Sequence, residues 1–438
     1  MRYRSRTALI AFGAGFPAGV AITVAGESIP VFWATVIGSA GLAFMMLARR
    51  RGGDPDGAKY EPGRGALLMF FVWATITTII APTLFEGRGV LIPRLGIDDQ
   101  VHAPGALDYT ISNAAQVAYL GLAVLAVHLI ARDRRMPTYI LGVPLALMTV
   151  LSLGRLLALR YGLDWPHGFF DNAPNRTFIE RTSTGEKRFR GIFAEPSTLA
   201  TYSIVTIVFF TKALPSMGVR GRRFSVAIIL AAATNAAVST AGTMVAGGLL
   251  VVAAICGVSV FTLVTQRRKI QPWAVIATCV AAAAVLVGAQ WLYEYVASAV
   301  QAKVGSGSFA SRTGADAYSI QSIFVDTWGV GVGLGSSRPS SFWPMMLSSV
   351  GLIGTLLFVM LVVKLSRAAW KTGLPAAQAS VWALVALLLC KSVAGPNLSD
   401  PFLWLTLGVL AHFAWTAQNR LETTVAGADS PVRVPAPA

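Results

Sequence analysis

Charged side chains are scarce in this sequence of 438 residues. Asp, Glu, Lys and Arg make up 13% of it, against about 25% in a typical soluble domain. Hydrophobic residues make up 55%, and the mean hydropathy is +0.62. The apolar residues fall in runs of roughly 20, the length that crosses a hydrocarbon layer about 30 Å thick. The composition excludes an ordinary soluble enzyme and predicts an all-α, polytopic membrane protein, because helices satisfy their own backbone hydrogen bonds in lipid.

Cysteine and histidine are also rare, with three and four copies. Cys256, Cys279 and Cys390 all lie within apolar runs, which excludes a disulfide framework and a cluster of metal-binding thiolates. The histidines are dispersed, and no His-Glu-x-x-His motif occurs. The sequence therefore supports no metal site, and we expect no cofactor.

Twelve apolar segments are predicted to span the membrane as helices. They cover about residues 7–25, 28–48, 65–86, 112–131, 139–159, 193–214, 224–240, 242–264, 272–292, 343–363, 379–396 and 400–417. We interpret residues 1–417 as one transmembrane catalytic domain. The Pro- and Ala-rich composition of residues 418–438 predicts a disordered tail.

Lys and Arg collect in alternate connections, for example at 49–51, 132–135 and 267–269. Basic loops remain in the cytoplasm, so these connections and both termini are predicted to be cytoplasmic. The net charge of +16 then mainly reflects the basic cytoplasmic loops of a membrane protein, and we expect no nucleic-acid partner. Three longer loops, 87–111, 160–192 and 293–342, are predicted to face outward, and the last is too long for a simple connector.

Several basic residues nevertheless fall on the predicted outer side. A charge in the middle of a span costs about 2.5–3.5 kcal/mol, so such a residue is a candidate for function. An alternative for Arg155 and Lys391 is that their long stems reach the interface. The candidates are Arg155, Arg160, Arg188, Arg190, Arg312, Arg338 and Lys391.

The stretch RFRGIFAEPSTLATY, residues 188–202, predicts a helix start, because Pro196 suits the first turn and an acid suits the positive end of the dipole. Two roles are open for Glu195. It either pairs with Arg190 or Arg312 to hold them, or accepts a proton from an incoming hydroxyl. We favour the pairing role, because neighbouring cations weaken a carboxylate as a base.

The glycine run GVGVGLG, residues 329–335, is not a nucleotide-binding motif, because its spacing is not G-x-G-x-x-G and no βαβ unit surrounds it. Two interpretations remain: a nest of backbone N–H groups that binds an anion together with Arg338, or a flexible entry into the tenth span. Asp316 and Asp326 are interpreted as solvated loop carboxylates.

The chain resembles the O-antigen polymerase/ligase superfamily of bacterial surface-polysaccharide enzymes. The segments that carry the resemblance are RFRGIFAEPSTLA (188–200), STAGTMVAGGLL (239–250) and the Gly- and Ser-rich motifs within 311–358. The resemblance implies a GT-C-like bundle of about 12 spans in the bacterial cytoplasmic (inner) membrane. It also implies glycosyl transfer on the outer face from a polyprenyl-diphosphate-linked oligosaccharide, with a chain-length regulator and a flippase as partners.

The resemblance further implies roles for individual residues. Arg190, Glu195 and Arg312 are expected to be catalytic, and the diphosphate is expected to contact Arg188, Arg338, Lys391 and Arg155. Guanidinium groups bind phosphate oxygens bidentately and could take the place of a metal. The ligase branch resembles a pattern with a histidine in the large outer loop, and residues 293–342 contain none. We therefore favour a polymerase; the alternatives are a ligase and a flippase, and the flippase requires charges along a path through the bilayer.

Overall fold

The computed structural model describes residues 5–17, 19–24, 27–49, 62–92, 104–173, 178, 188–265 and 307–428. Most of these residues are helical. The helices are α1 (Arg6–Ala14), α2 (Val31–Arg49), α3 (Arg64–Leu84), α4 (Ile111–Ala131), α5 (Gly142–Tyr161), α6 (His167–Phe170), α7 (Pro196–Ala213), α8 (Val219–Ser239), α9 (Gly242–Thr265), α10 (Gly307–Tyr318), α11 (Phe342–Lys371), α12 (Pro375–Lys391) and α13 (Pro401–Ala428).

Six helices are long and apolar enough to cross a membrane, counted over the described residues. They are Arg64–Leu84, Ile111–Ala131, Gly142–Tyr161, Pro196–Ser216, Gly242–Thr262 and Phe342–Lys371. Their length and composition confirm, at this coarse level, a helical bundle compatible with a membrane. The predicted ninth span, 272–292, lies outside the described residues.

The prediction of a first span over 7–25 is wrong. Helix α1 has nine residues, which reach about 14 Å at 1.5 Å per residue. Strands β1 (Ala21–Val24) and β2 (Glu27–Pro30) then form an antiparallel hairpin that leads directly into α2. Gly15, Pro17 and Gly19 are poor helix formers, and their close spacing explains why the helix ends early.

Two further segments differ from the prediction. The predicted disordered tail begins as helix, because α13 continues to Ala428; residues 429–438 lie outside the described part. The outer loop 293–342 contains helix α10, which a π-helical turn follows over Ser319–Phe324. A second small antiparallel hairpin, β3 (Gly89–Leu91) with β4 (Pro104–Ala106), lies in the predicted loop 87–111.

The connections gather at two ends of the bundle. At one end, which we call the basic end, the Asp133 carboxylate accepts the Thr7 backbone N–H at 2.9 Å, and the hydroxyls of Tyr139 and Ser216 lie 2.7 Å apart. At the other, which we call the loop end, the Arg338 N–H donates to the Leu91 carbonyl at 2.9 Å. The described residues of segments 15–30, 86–110, 162–195, 319–341 and 392–400 belong to the loop end.

Helix α11 is interrupted at Gly351, which has φ 69° and ψ −169°. A break in a membrane helix frees backbone groups that lipid cannot satisfy. The glycine run fills this need, since Val332 N–H donates to the Ser348 carbonyl at 2.8 Å and Gly333 N–H to the Ser349 carbonyl at 2.9 Å. The break is therefore sealed by protein.

The anion-nest interpretation of the glycine run is wrong for these donors, since their N–H groups are bound to protein acceptors. The Leu334 N–H is likewise used, by the Thr78 hydroxyl at 2.9 Å. Glycine is needed because a Cβ on Gly333 would lie 2.8 Å from the Thr78 Cα, and one on Gly331 would lie 2.7 Å from the Ser349 carbonyl oxygen. The run is a packing element between helices.

Candidate functional site

A pocket of about 120 Å³ opens at the loop end. Three segments supply most of its lining: the start of α7, the connection between α12 and α13, and the residues at and after the end of α1; Met148 and Arg338 complete it. Its titratable lining residues are Glu195, Tyr202, Arg338, Lys391 and Asp400. We call this the Glu195 pocket.

Glu195 is the residue immediately before α7, and Pro196 occupies the first helical position as predicted. Its backbone is extended, and its carboxylate does not cap its own helix. One oxygen, Oε2, accepts the Ser197 hydroxyl at 3.0 Å. No Lys, Arg or His of the described residues lies within ion-pair distance of this carboxylate, so it faces the pocket with its charge uncompensated.

Arg338 lines the same pocket, and its backbone is fixed by the bond to Leu91. Its side chain is exposed. Within residues 5–265 and 307–428, as far as these are described, no hydrogen bond or ion pair engages the guanidinium group. Arg338 is therefore the cation of this pocket with donors available to a ligand.

Lys391 is buried at 4% exposure, and its ammonium group is fully occupied. Nζ lies 2.9 Å from the Asp400 carboxylate, 3.1 Å from the Asn397 carbonyl and 3.4 Å from the Gly395 carbonyl. An ammonium group has three protons, so these three acceptors use them all. The alternative in which the long stem of Lys391 reaches the interface is therefore wrong. The contacts of Lys391 fix the connection between α12 and α13.

Asp400 is the counter-charge that sequence reasoning missed. It is also buried, and its Oδ1 accepts the Tyr202 hydroxyl at 2.7 Å and the Phe402 N–H at 3.0 Å. Asp400 thus joins α7, α12 and α13. The pair Asp400-Pro401 is a helix-start signature, and this signal could have identified the residue as a cap.

A second charged cluster surrounds Asp171 in the predicted outer loop 160–192. Arg190 forms a bidentate pair with Asp171, at 2.9 and 2.7 Å. Arg155 Nη1 lies 3.6 Å from the same carboxylate, and His167 Nδ1 lies 2.9 Å from it. We call this set the Asp171 cluster.

The electrostatics of the Asp171 cluster favour the ionised carboxylate. Burial by itself raises the pKa of Asp171, but hydrogen bonds from Arg190 and His167 and the charges of Arg190 and Arg155 outweigh it. The pKa is therefore lowered below its ordinary value of 3.8.

The cluster positions the segment that leads to Glu195. Arg155 donates to the Gly191 carbonyl at 2.7 Å, and Arg190 donates to the Phe193 carbonyl at 2.7 Å. Both arginines are 3% exposed, so the Arg155 side chain does not reach the interface. The preferred interpretation, in which Glu195 pairs with Arg190 or Arg312, is wrong, because Arg190 pairs with Asp171 and no ion pair of the described residues joins Arg312 to Glu195.

Arg188 and Arg312 do not line the Glu195 pocket. Arg188 lies two residues before Arg190 in the same segment. Arg312 lies on α10 one helical turn before Asp316, and among the described residues no ion pair engages it. Asp316 was interpreted as solvated; instead its carboxylate accepts the N–H groups of Ser340 and Ser341, at 2.8 and 3.0 Å, and docks α10 beside Arg338.

Of the seven basic residues predicted to act together, the structure brings Arg338 and Lys391 to the Glu195 pocket and Arg155 and Arg190 to the Asp171 cluster. Arg160 is exposed at the end of α5. In the described part of the chain, no three His, Cys, Asp or Glu side chains form a group that could hold a metal.

No protein-family profile matches the chain, and no curated protein is significantly similar to it.

Proposed function

We propose that this protein is a membrane glycosyltransferase that polymerises polyprenyl-diphosphate-linked oligosaccharide repeat units into a surface polysaccharide. The observation that carries the proposal is that one pocket at the loop end contains both the Glu195 carboxylate, which has no counter-charge among the described residues, and the Arg338 guanidinium, whose donors are available. The resemblance of residues 188–200 and 311–358 to the polymerase superfamily supports the same activity.

The reaction needs a base and an anion-binding group near each other. A hydroxyl oxygen of the acceptor sugar attacks the anomeric carbon of the donor, and the bond from that carbon to the diphosphate oxygen breaks. The polyprenyl diphosphate leaves with the bonding electrons, and Arg338 stabilises its developing charge. Glu195 accepts the hydroxyl proton, a role open to it because no cation of the described residues pairs with it.

The other charged residues have supporting roles in this proposal. The Asp171 cluster fixes the backbone that leads to Glu195, and the Lys391–Asp400 pair fixes the opposite wall. Arg312 is the second candidate for a phosphate contact, because α10 is docked on the residues that follow Arg338. We therefore assign the diphosphate to Arg338, with Arg312 as the second contact, and give Arg155, Arg190 and Lys391 supporting roles.

The test is chain extension in detergent. Purified protein is given lipid-linked repeat units, and the products are resolved by length. We expect longer chains from the wild type and none from Arg338→Ala or Glu195→Gln, whereas Arg160→Ala, which removes an exposed cation outside the pocket, is expected to match the wild type.

Two outcomes would overturn the proposal. Translocation of the lipid-linked sugar in sealed vesicles, with no extension in detergent, would identify a flippase. Transfer of finished polymer to a lipid A core, with no joining of repeat units, would identify a ligase.

A further inference from the structure

A second pocket, of about 270 Å³, lies among helices α3, α4, α11 and α13. Its walls are mainly aliphatic and include Leu67, Val124, Leu125, Leu361 and Leu365. We call it the apolar pocket. Leu68 lies on its wall and is 43% exposed, so the pocket opens to the outside of the bundle.

The apolar pocket lies at the basic end, far from the Glu195 pocket. Leu361 is nineteen residues beyond Phe342, the start of α11 at the loop end, and the linings of the two pockets share no residue. Arg64 at the start of α3 and Ala131 at the end of α4 both line it. The two pockets are therefore separate sites.

Two glycines shape the apolar pocket. Gly121 faces it from α4, and a Cβ there would meet only Phe71, at an ordinary 3.7 Å, so the missing side chain leaves open space. Gly63 has φ +82° and lies so close to α11 that a Cβ would be 2.8 Å from the Leu365 Cδ2. Larger residues at position 121 would fill the pocket.

The rim of the apolar pocket is basic. Arg64 lies in the first turn of α3, His128 lies in the last turn of α4, and both line the pocket. The N-cap residue of α3 is Gly63, which has no side chain to cap the helix, so the N–H groups of the first turn and the helix dipole add to the positive potential. Basic pockets between transmembrane helices on the cytoplasmic side bind anionic lipid headgroups.

An aliphatic cavity that opens sideways beneath a basic rim matches one kind of molecule, an amphiphile with an anionic head. We propose that the apolar pocket binds an acyl chain of an anionic phospholipid, whose phosphate contacts Arg64 at the start of α3. The bilayer around this end of the bundle supplies such lipids. This site is independent of the proposed transferase activity.

The experiment measures thermal unfolding of the full-length protein in a neutral detergent. Phosphatidylglycerol is titrated against phosphatidylcholine with the same acyl chains. Ligand that binds only the folded state raises the melting temperature, so we expect the larger rise with phosphatidylglycerol. Native mass spectrometry of the same samples counts the retained lipids.

Two variants test the acyl-chain contact and the headgroup contact separately. Gly121→Leu fills the cavity, and we expect it to lose the melting shift and the retained lipid. The matched control is Gly257→Leu, on α9 in open space. Arg64→Gln is expected to weaken phosphatidylglycerol binding about fivefold, corresponding to ~1 kcal/mol for one basic residue near an anionic surface, while Arg223→Gln, an exposed cation of α8, changes nothing.

The proposal is overturned if Gly121→Leu keeps the wild-type shift and lipid count, or if the two phospholipids stabilise the wild type equally. Binding of a free fatty acid in place of phospholipid would overturn it as well. Should Gly121→Leu fail to fold, Leu68→Trp at the opening provides the same test, because this partly exposed position tolerates a larger residue.

Discussion

Two groups of charged residues lie at the loop end, and they differ in how their charges are compensated. In the Asp171 cluster, one carboxylate bonds two buried arginines and a histidine. In the Glu195 pocket, Lys391 and Asp400 compensate each other, while Glu195 and Arg338 have no ionic partner among the described residues. Burying an ion is costly unless it is paired, so the paired groups serve the fold, and the groups left open to the pocket are available for chemistry.

This comparison changes how a cation near a membrane surface should be interpreted. Arg190 and Lys391 look like ligands for a diphosphate in the sequence, because each is a charge in an apolar setting. The structure shows that their hydrogen-bonding capacity is largely used by Asp171, Asp400 and backbone carbonyls. The presence of a counter-charge distinguishes Arg190 and Lys391 from Glu195 and Arg338.

The largest expected effect is on activity in the Glu195 pocket. We expect Glu195→Gln to lower the rate of chain extension by about 10²–10⁴-fold, the usual contribution of a general base, with no change in melting temperature. Arg338→Lys should recover part of the activity that Arg338→Ala loses, because it restores the charge without the bidentate fork. Initial rates of extension and melting curves on the same preparations measure both. Wild-type rates for Glu195→Gln would falsify its role as the base.

Asp171→Asn tests the structural cluster. The substitution leaves Arg155 and Arg190 buried without a full counter-charge, so we expect a loss of about 3–5 kcal/mol in the free energy of unfolding. Thermal or denaturant unfolding in detergent measures it. The matched control is Asp326→Asn, which removes an exposed pair with Arg88, 49% and 46% exposed, and should cost less than about 1 kcal/mol. Similar losses for the two variants would contradict our distinction.

A double-mutant cycle tests the compensation of Lys391. Lys391→Met leaves the buried Asp400 carboxylate without its counter-charge, and Asp400→Asn does the same to Lys391. The double variant removes both charges and keeps a group that can bond Tyr202. We expect the double variant to be more stable than Lys391→Met alone, with a coupling energy of about 0.5–3 kcal/mol. Additive losses would show that the ion pair contributes nothing beyond packing.

The smallest expected effect is on the melting temperature at acid pH. The pKa of Asp171 in the folded protein is lower than its ordinary 3.8, so its contribution is fully present above about pH 4 and is lost as the pH falls through the folded value. The melting temperature of the wild type should therefore fall below about pH 4 more steeply than that of Asp171→Asn. Parallel curves for the two proteins would rule out this linkage.

Much of the fold could be predicted from periodicity and helix-start chemistry. The start of α7 was predicted from Glu195-Pro196, and the six long helices begin within three residues of predicted spans, although Phe342–Lys371 extends eight residues beyond its predicted end at 363. The prediction of the first span was wrong because it gave the total hydropathy more weight than the helix-breaking effect of Gly15, Pro17 and Gly19. In the structure Gly15 caps the end of α1, and Pro17 and Gly19 line the Glu195 pocket.

The candidate site could be predicted only in part. Glu195, Arg338 and Lys391 were identified, because charges in apolar surroundings stand out. Asp171 and Asp400 were missed, because each is an ordinary acid in its own segment. Asp171 meets Arg155 and Arg190 across sixteen and nineteen residues of chain, and no local pattern encodes that meeting.

The sequence by itself determined that this protein is built of apolar helices and that a helix starts at Glu195-Pro196, because hydropathy and helix-start preferences act over a few neighbouring residues. Only the tertiary structure decided which charges are compensated, that the glycine run seals the break in α11, and where the two pockets lie. Those properties depend on distances between segments far apart in the chain, and packing alone sets such distances.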